Sequence, residues 1–187
     1  MKSTSLLITF FIGLLFICST TVYAQEKPSR LDFRFGVGTS LQGSGDMITL
    51  SFDNELNYRL NNYFATSLSI SHGKSESGVF KMGSFIQGNL NAFVSPFRNN
   101  RRNDFRLGIG LGVQNYVYSY IQSEEYINGQ LIQSPVYRDK NGLGRNIIIE
   151  NTFALTQRLL LGLKLYNQFY NSGDVNTGIM LKAGVQF

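Results

Sequence analysis

The residues of this chain that could do chemistry are few and mostly far apart. A single histidine, His72, lies in a serine-rich stretch with Ser69, Ser71, Ser75 and Ser77. A histidine beside a serine is the minimum for nucleophilic hydrolysis, but no surrounding motif places one against the other, so no catalytic group is assigned. Asp139, Asn141 and Gly142 share their spacing with part of a calcium-binding loop but lack its repeated acidic ligands, so neither a metal nor a cofactor is expected. The most distinctive chemical set is a group of charges scattered along 150 residues, each in an otherwise small, polar context: Arg34, Glu55, Arg59, Arg106, Glu150, Lys164 and Lys182, with Asp32 and Asp53 beside them. What gathers them has to be read from the pattern of the elements that carry them.

That pattern has a period of two. Leu31, Phe33, Phe35, Val37, Thr39 and Leu41 alternate with Asp32, Arg34, Gly36, Gly38 and Ser40, and Phe105, Leu107, Ile109, Leu111 and Val113 alternate with Arg106, Gly108, Gly110 and Gly112. Strict alternation is the signature of a strand with two unlike faces. Similar segments over Ile48–Leu60, Phe64–Ser71, Met82–Val94, Ile147–Leu155, Leu159–Phe169 and Ile179–Phe187 bring the count to eight. Ile147, Ile148 and Ile149 make the sixth the least regular. No stripe of helical period competes, so an all-β chain with antiparallel neighbours is expected. A faint repeat at an offset of 95 relates Glu55, Tyr58, Leu60, Leu68 and Ile70 to Glu150, Phe153, Leu155, Leu163 and Leu165, and parity across both hairpins calls for three-residue turns at Asn61–Tyr63 and Thr156–Arg158.

Alternation fits a soluble barrel with apolar residues inside or a membrane barrel with them outside. The polar face decides in favour of the second: it carries five bases and four acids in nearly balanced mixture among Gly, Ser and Asn, whereas the apolar face of the strands carries no Asp, Glu, Lys or Arg. A charge facing lipid at mid-depth costs roughly 2–4 kcal/mol. Asn54 and Asn151 fall on the apolar face, either turned aside by a local bulge or kept there at a small tolerated penalty. Aromatic residues gather near strand ends: Tyr58, Tyr63, Phe64, Phe97, Phe105, Phe153 and Phe187 at one end, Tyr116, Tyr118, Tyr120, Phe169 and Tyr170 at the other, as two interfacial girdles would require. The connection from Ile121 to Leu143 is long, and Asn128-Gly129 within it is a hairpin-turn signal that makes Glu125–Gln133 an extension of the wall.

Composition agrees once the faces are separated. The chain has 187 residues, a formal charge of +5 and 16% charged positions, with a mean hydropathy of -0.07. There is no basic run for nucleic acid. Residues 1–24 have the charged start, apolar run and small-residue end of a secretory signal, with cleavage expected between Ala24 and Gln25. The apolar run is shorter than the roughly 20 residues a spanning helix needs. Cys18 is preceded by Ile17, where a lipidation site needs a small residue, and no cysteine follows it. Residues 25–30 would then be a short periplasmic lead and 31–187 the barrel.

On these residues the chain resembles the small bacterial outer-membrane β-barrel family of OmpX, OmpA-barrel and opacity type. The closing strand Ile179, Leu181, Ala183, Val185 and Phe187, ending on an aromatic residue, is similar to the terminal signal read by the barrel-assembly machinery. The resemblance implies an eight-stranded antiparallel up-and-down transmembrane β-barrel with short periplasmic turns and longer extracellular loops. It also implies residence in the outer membrane of a Gram-negative-type bacterium among its lipid and lipopolysaccharide. The expected role is structural or surface-interacting, with an extracellular partner at loop 121–143, no enzymatic activity and no open pore. A carrier or narrow channel for small hydrophobic molecules or ions is the alternative, and a lipid A-modifying enzyme built on His72 the third. The inward charges are expected to form a structural network, because an eight-stranded barrel is just wide enough for its side chains to fill.

Overall fold

The computed structural model describes residues 30–43, 47–77, 81–97, 103–127 and 130–187. The expected signal segment with Ala24 and Gln25, and the Asn128-Gly129 turn, lie outside them. Eight strands, β1 (Leu31–Gly43), β2 (Met47–Arg59), β3 (Phe64–Ser77), β4 (Lys81–Val94), β5 (Asn103–Ile127), β6 (Gln130–Ala154), β7 (Leu159–Tyr170) and β8 (Val175–Gln186), follow one another around a closed barrel. Each pairs antiparallel with its sequence neighbours, and β8 returns to β1, Asp32 opposite Gln186 and Gly43 opposite Val175. No edge is left within the barrel, so every strand can satisfy its backbone donors and acceptors without water.

The alternation sorts the faces as the sequence requires. Ile86 (64% exposed), Ile109 (69%) and Leu181 (66%) project from the outer wall, while Asp53, Glu55 and Glu150 inside are 0% exposed. This is the reverse of a water-soluble barrel. Asn54 follows the rule of its strand rather than escaping it: the β1–β2 and β2–β3 registers run without a shift, opposite Phe35 and Ile70, and its side chain stays exposed on the outer wall. Asn151 likewise lies in unbroken register between Phe105 and Leu163. No bulge redirects these two asparagines, which leaves the small tolerated penalty as the reading that holds.

At the end where β1 begins and β8 finishes, β2–β3 and β6–β7 close over three residues. The Leu60 N–H donates to the Phe64 carbonyl at 3.0 Å and the Leu155 N–H to the Leu159 carbonyl at 2.9 Å. Each turn is held by its first side chain. Asn61 Oδ1 accepts from the N–H groups of Tyr63 and Phe64 at 2.8 and 2.9 Å, and Thr156 Oγ1 accepts from those of Arg158 and Leu159 at 3.2 and 3.0 Å, the local side-chain capping that favours Asn and Thr in turns. At the opposite end β5 and β6 stay paired far beyond their neighbours, from Ser119 opposite Tyr137 to Ile127 opposite Gln130. The long connection of the sequence is therefore a two-stranded ribbon. Its register shifts by one residue between Ile121 and Ser123, a bulge that falls beside Pro135.

Candidate functional site: the closed lumen and its mouth

Inward parity from six strands brings the scattered charges together. Arg34 on β1 is held by Asp32 (Nε to Oδ1, 2.6 Å) and reaches across to Glu150 and to Thr152 Oγ1 (2.9 Å) on β6. Arg106 on β5 contacts Glu150 at 2.9 Å, Glu55 at 3.1 Å and Asn57 Oδ1 at 2.7 Å. Lys164 on β7 donates to Asp53 and Glu55, both at 3.0 Å. Lys182 on β8 pairs with Glu55, with Asp53 at 3.3 Å and with Glu150 at 3.7 Å. Both lysines meet Asp53 Oδ2, and its Oδ1 accepts from the Ser71 hydroxyl at 2.6 Å. Four cations and four carboxylates thus form one neutral lattice, in which each of Glu55 and Glu150 meets three cations.

Arg59, the seventh residue expected in the network, sits at its edge and bonds Asp104 at 2.9 Å. Asp104 was missing from the set read in the sequence, although it shares the inward parity of Arg106 two residues on. It also lies 4.0 Å from Arg34 and so joins the peripheral pair to the lattice.

Beside the ionic layer lies an amide layer. Asn146 Nδ2 donates to Asn89 and Asn91 Oδ1 at 3.0 and 3.1 Å, Gln168 Nε2 to Asn89 Oδ1 at 3.1 Å, and the Tyr170 hydroxyl to Gln87 Oε1 at 2.8 Å. A small apolar cluster of Phe93, Ile148, Tyr166 and Met180 fills the space between layers, with the Arg106 guanidinium 4.0 Å from the Phe93 ring centre. Phe93 fits because Gly108 faces it, for a Cβ there would run into its ring. The free space among Ser71, Asn89, Asn146, Lys164, Tyr166 and neighbouring side chains is about 10 Å3, room for about one water.

The tyrosines expected in the second girdle are on the wrong face for it. Tyr116, Tyr118 and Tyr120 share the parity of Arg106, and Tyr170 that of Lys164, so Tyr116 and Tyr170 are buried in the barrel mouth. Tyr116 and Tyr118 stack at 5.5 Å and Tyr120 follows at 6.2 Å. Across the ribbon Lys140 and Arg138 sit over the Tyr118 and Tyr120 rings, at 5.2 and 5.5 Å. Lys140 also reaches Asp174 in the β7–β8 turn at 3.5 Å, which ties the ribbon's base to the rim. Tyr58, Tyr63, Phe64, Phe97, Phe153 and Phe187 do project outward at the opposite end.

His72 projects from the outer wall and stacks on Phe52, ring centres 5.1 Å apart. Ser69, Ser71 and Ser75 are buried on the other face of β3, so the strand itself separates the histidine from these candidate nucleophiles. Among the described residues no group of His, Cys, Asp and Glu is placed to hold a metal ion.

The closed eight-stranded barrel has parallels among solved structures. The fold is that of the small outer-membrane barrels. The chain superposes on Neisserial surface protein A with a TM-score of 0.66 at 14% identity, over 87% of this chain and 100% of the other. It superposes on Ail, the attachment invasion locus protein of Yersinia pestis, with a TM-score of 0.57 at 16% identity, over 86% and 100%. For OprG from Pseudomonas aeruginosa the values are 0.53 and 10%, over 87% and 97%. No family model matches the chain and no curated protein matches it by sequence.

Proposed function

We propose that this chain is an integral outer-membrane barrel of a Gram-negative-type bacterium, sealed against solutes, whose β5–β6 ribbon serves surface interaction such as adhesion or envelope integrity. One observation carries the reading: a neutral, fully inward ion-pair lattice is enclosed by a wall whose exposed face is apolar. Such a wall is stable in hydrocarbon, where closed strands leave no backbone group unpaired. A lumen crossed by the ionic and amide layers, with room for about one water between Lys164 and Asn146, supports neither the carrier nor the channel alternative.

The remaining roles follow from the same reading. Residues 1–24 direct export, with cleavage between Ala24 and Gln25. The outward row Ile179, Leu181, Ala183, Val185 and Phe187 is what the barrel-assembly machinery reads. Lipid and lipopolysaccharide surround the wall, and an extracellular partner meets the ribbon. Ail has been solved in complex with the heparin analogue sucrose octasulfate, which makes a sulfated saccharide a reasonable first probe for the ribbon, where Arg138 is exposed. The protein is not an enzyme in this reading.

The test is fractionation followed by gel migration with and without boiling, joined to single-channel recording. A membrane-fraction protein that migrates differently once boiled, and that gives no conductance steps, is expected. Recovery in the soluble fraction with unchanged migration would overturn the membrane reading, and steady conductance would overturn the sealed lumen.

A further inference from the structure

Below the ribbon, the outward face of the strands carries two cations among the side chains described, Lys74 on β3 and Arg145 on β6, and one anion, Asp139 on β6, which accepts from Asn115. Arg145 has the more unusual setting. It stands in register between Leu111 on β5 and Phe169 on β7, with Leu143 and Ile147 before and after it on the same face of β6. None of the ion pairs among the described residues includes it. It lies nine residues from Ala154, the last residue of β6, and a tilted strand crosses the hydrocarbon in about 9–11 residues. The guanidinium therefore emerges where hydrocarbon gives way to headgroups on the ribbon side.

Just above it the wall is indented. An open groove of about 390 Å3 is lined by Val113, Gln114, Asn115, Asn141, Gly142 and Leu143. Its rows follow from the register: Leu111 opposite Arg145, then Val113 opposite Leu143, then Asn115 opposite Asn141. From Arg145, just below the groove, the outer surface thus grades through aliphatic side chains to amides. The amides are fixed by their own bonds, Asn115 Nδ2 donating to Asp139 Oδ1 at 2.7 Å and to Asn141 Oδ1 at 3.1 Å.

We propose that this groove holds the phosphorylated headgroup of an outer-leaflet lipid, with Arg145 as the phosphate partner. The inference rests on the outer-membrane reading and adds a specific lipid site to it. A guanidinium offers a planar fork that matches two phosphate oxygens. Val113, Leu143 and Leu111 pack against the first methylenes, and the amide row meets sugar or glycerol hydroxyls. A lipid fits better than a soluble anion because the cation opens onto the apolar band, and the headgroup neutralises it without drawing it away from the wall.

The experiment compares the full barrel folded into vesicles containing lipid A with vesicles containing the same lipid stripped of its phosphates, reading the urea unfolding midpoint and the Arg145 Nε–Hε resonance. Phosphorylated lipid A raises the midpoint and shifts the resonance. R145Q loses the midpoint difference, R145K keeps part of it, and K74Q retains it. An equal midpoint difference in R145Q and the unsubstituted barrel overturns the proposal. Reproduction of the resonance shift by inorganic phosphate in phosphate-free vesicles overturns the lipid as its source. A barrel that inserts into neither vesicle, seen as unchanged migration on boiling, overturns the membrane reading beneath it.

Discussion

Glu150 shows how much one side chain holds. It accepts from Arg34 and Arg106 and lies within ion-pair reach of Lys182, and it is fully buried from bulk solvent. Removing one partner of a buried ion pair leaves the others uncompensated and typically costs about 3–5 kcal/mol. Glu150→Gln should therefore lower the unfolding free energy of the vesicle-folded barrel by about that amount, as measured by urea titration. Replacing Lys182 by Met in the same chain should cost less than the sum of the two single changes, because the second removes a cation the first has stranded. At the opposite extreme, Asn54 presents an amide to lipid with Phe35 and Ile70 beside it. Asn54→Leu should stabilise the barrel by about 1–3 kcal/mol, read in the same titration, and a loss of stability would mean that the amide has a partner in the membrane. The inward set was legible because parity is strict: Arg34, Glu55, Arg106, Glu150, Lys164 and Lys182 all sit where alternation puts them. Which carboxylate each cation meets was not legible where the contact crosses the lumen between strands far apart in sequence, as Lys164 does to Asp53 and Glu55. Tyr116, Tyr118, Tyr120 and Tyr170 were misassigned by position along the strand when their parity already placed them inside.

At the scale of elements, eight strands follow from eight alternating segments, and the two three-residue turns follow from the requirement that outward parity match on both sides. The sequence was less informative about strand ends. The register of β5 and β6 runs unbroken to Ile121 opposite Pro135 and resumes after the Gln122 bulge, so a polar, weakly alternating connection became a ribbon because each strand pairs with the other, not because either is strongly strand-forming. A bulge and a proline within this pair are features that protect exposed strand edges from pairing with other chains, so the ribbon is better suited to binding through its faces. If residues 119–137 are replaced by Asn-Gly, joining Tyr118 to Arg138, the heat-dependent change in migration should persist while any surface adhesion is lost. Within the wall, Gly108 is a position where size matters, because it faces Phe93 and Ile148. Gly108→Leu should cost about 1–3 kcal/mol or more through overpacking, measured as a lowered urea midpoint.

For the whole molecule, the low charged fraction and near-neutral mean hydropathy are the average of two surfaces of opposite character. The outer wall spends almost no charge, and the lumen gathers cations and carboxylates in equal number. That balance predicts a lumen impermeable to ions of either sign, so conductance should be absent from the unsubstituted barrel and should not appear on changing salt from 0.1 to 1 M KCl, roughly the range over which exposed ion pairs are screened and enclosed ones are not.

The pairing of β8 with β1 carries a consequence for how the chain is made. Asp32 lies opposite Gln186 and Phe33 opposite Val185, so the first strand and the last are partners although nearly the whole sequence separates them. Contacts this distant are the slowest to form, and until they do, both strands present unpaired backbone that invites aggregation. The seam cannot close while β8 is still absent. Folding is therefore a single late event, and the chain must be carried to its membrane open, with its most adhesive edges held apart until the final strand arrives.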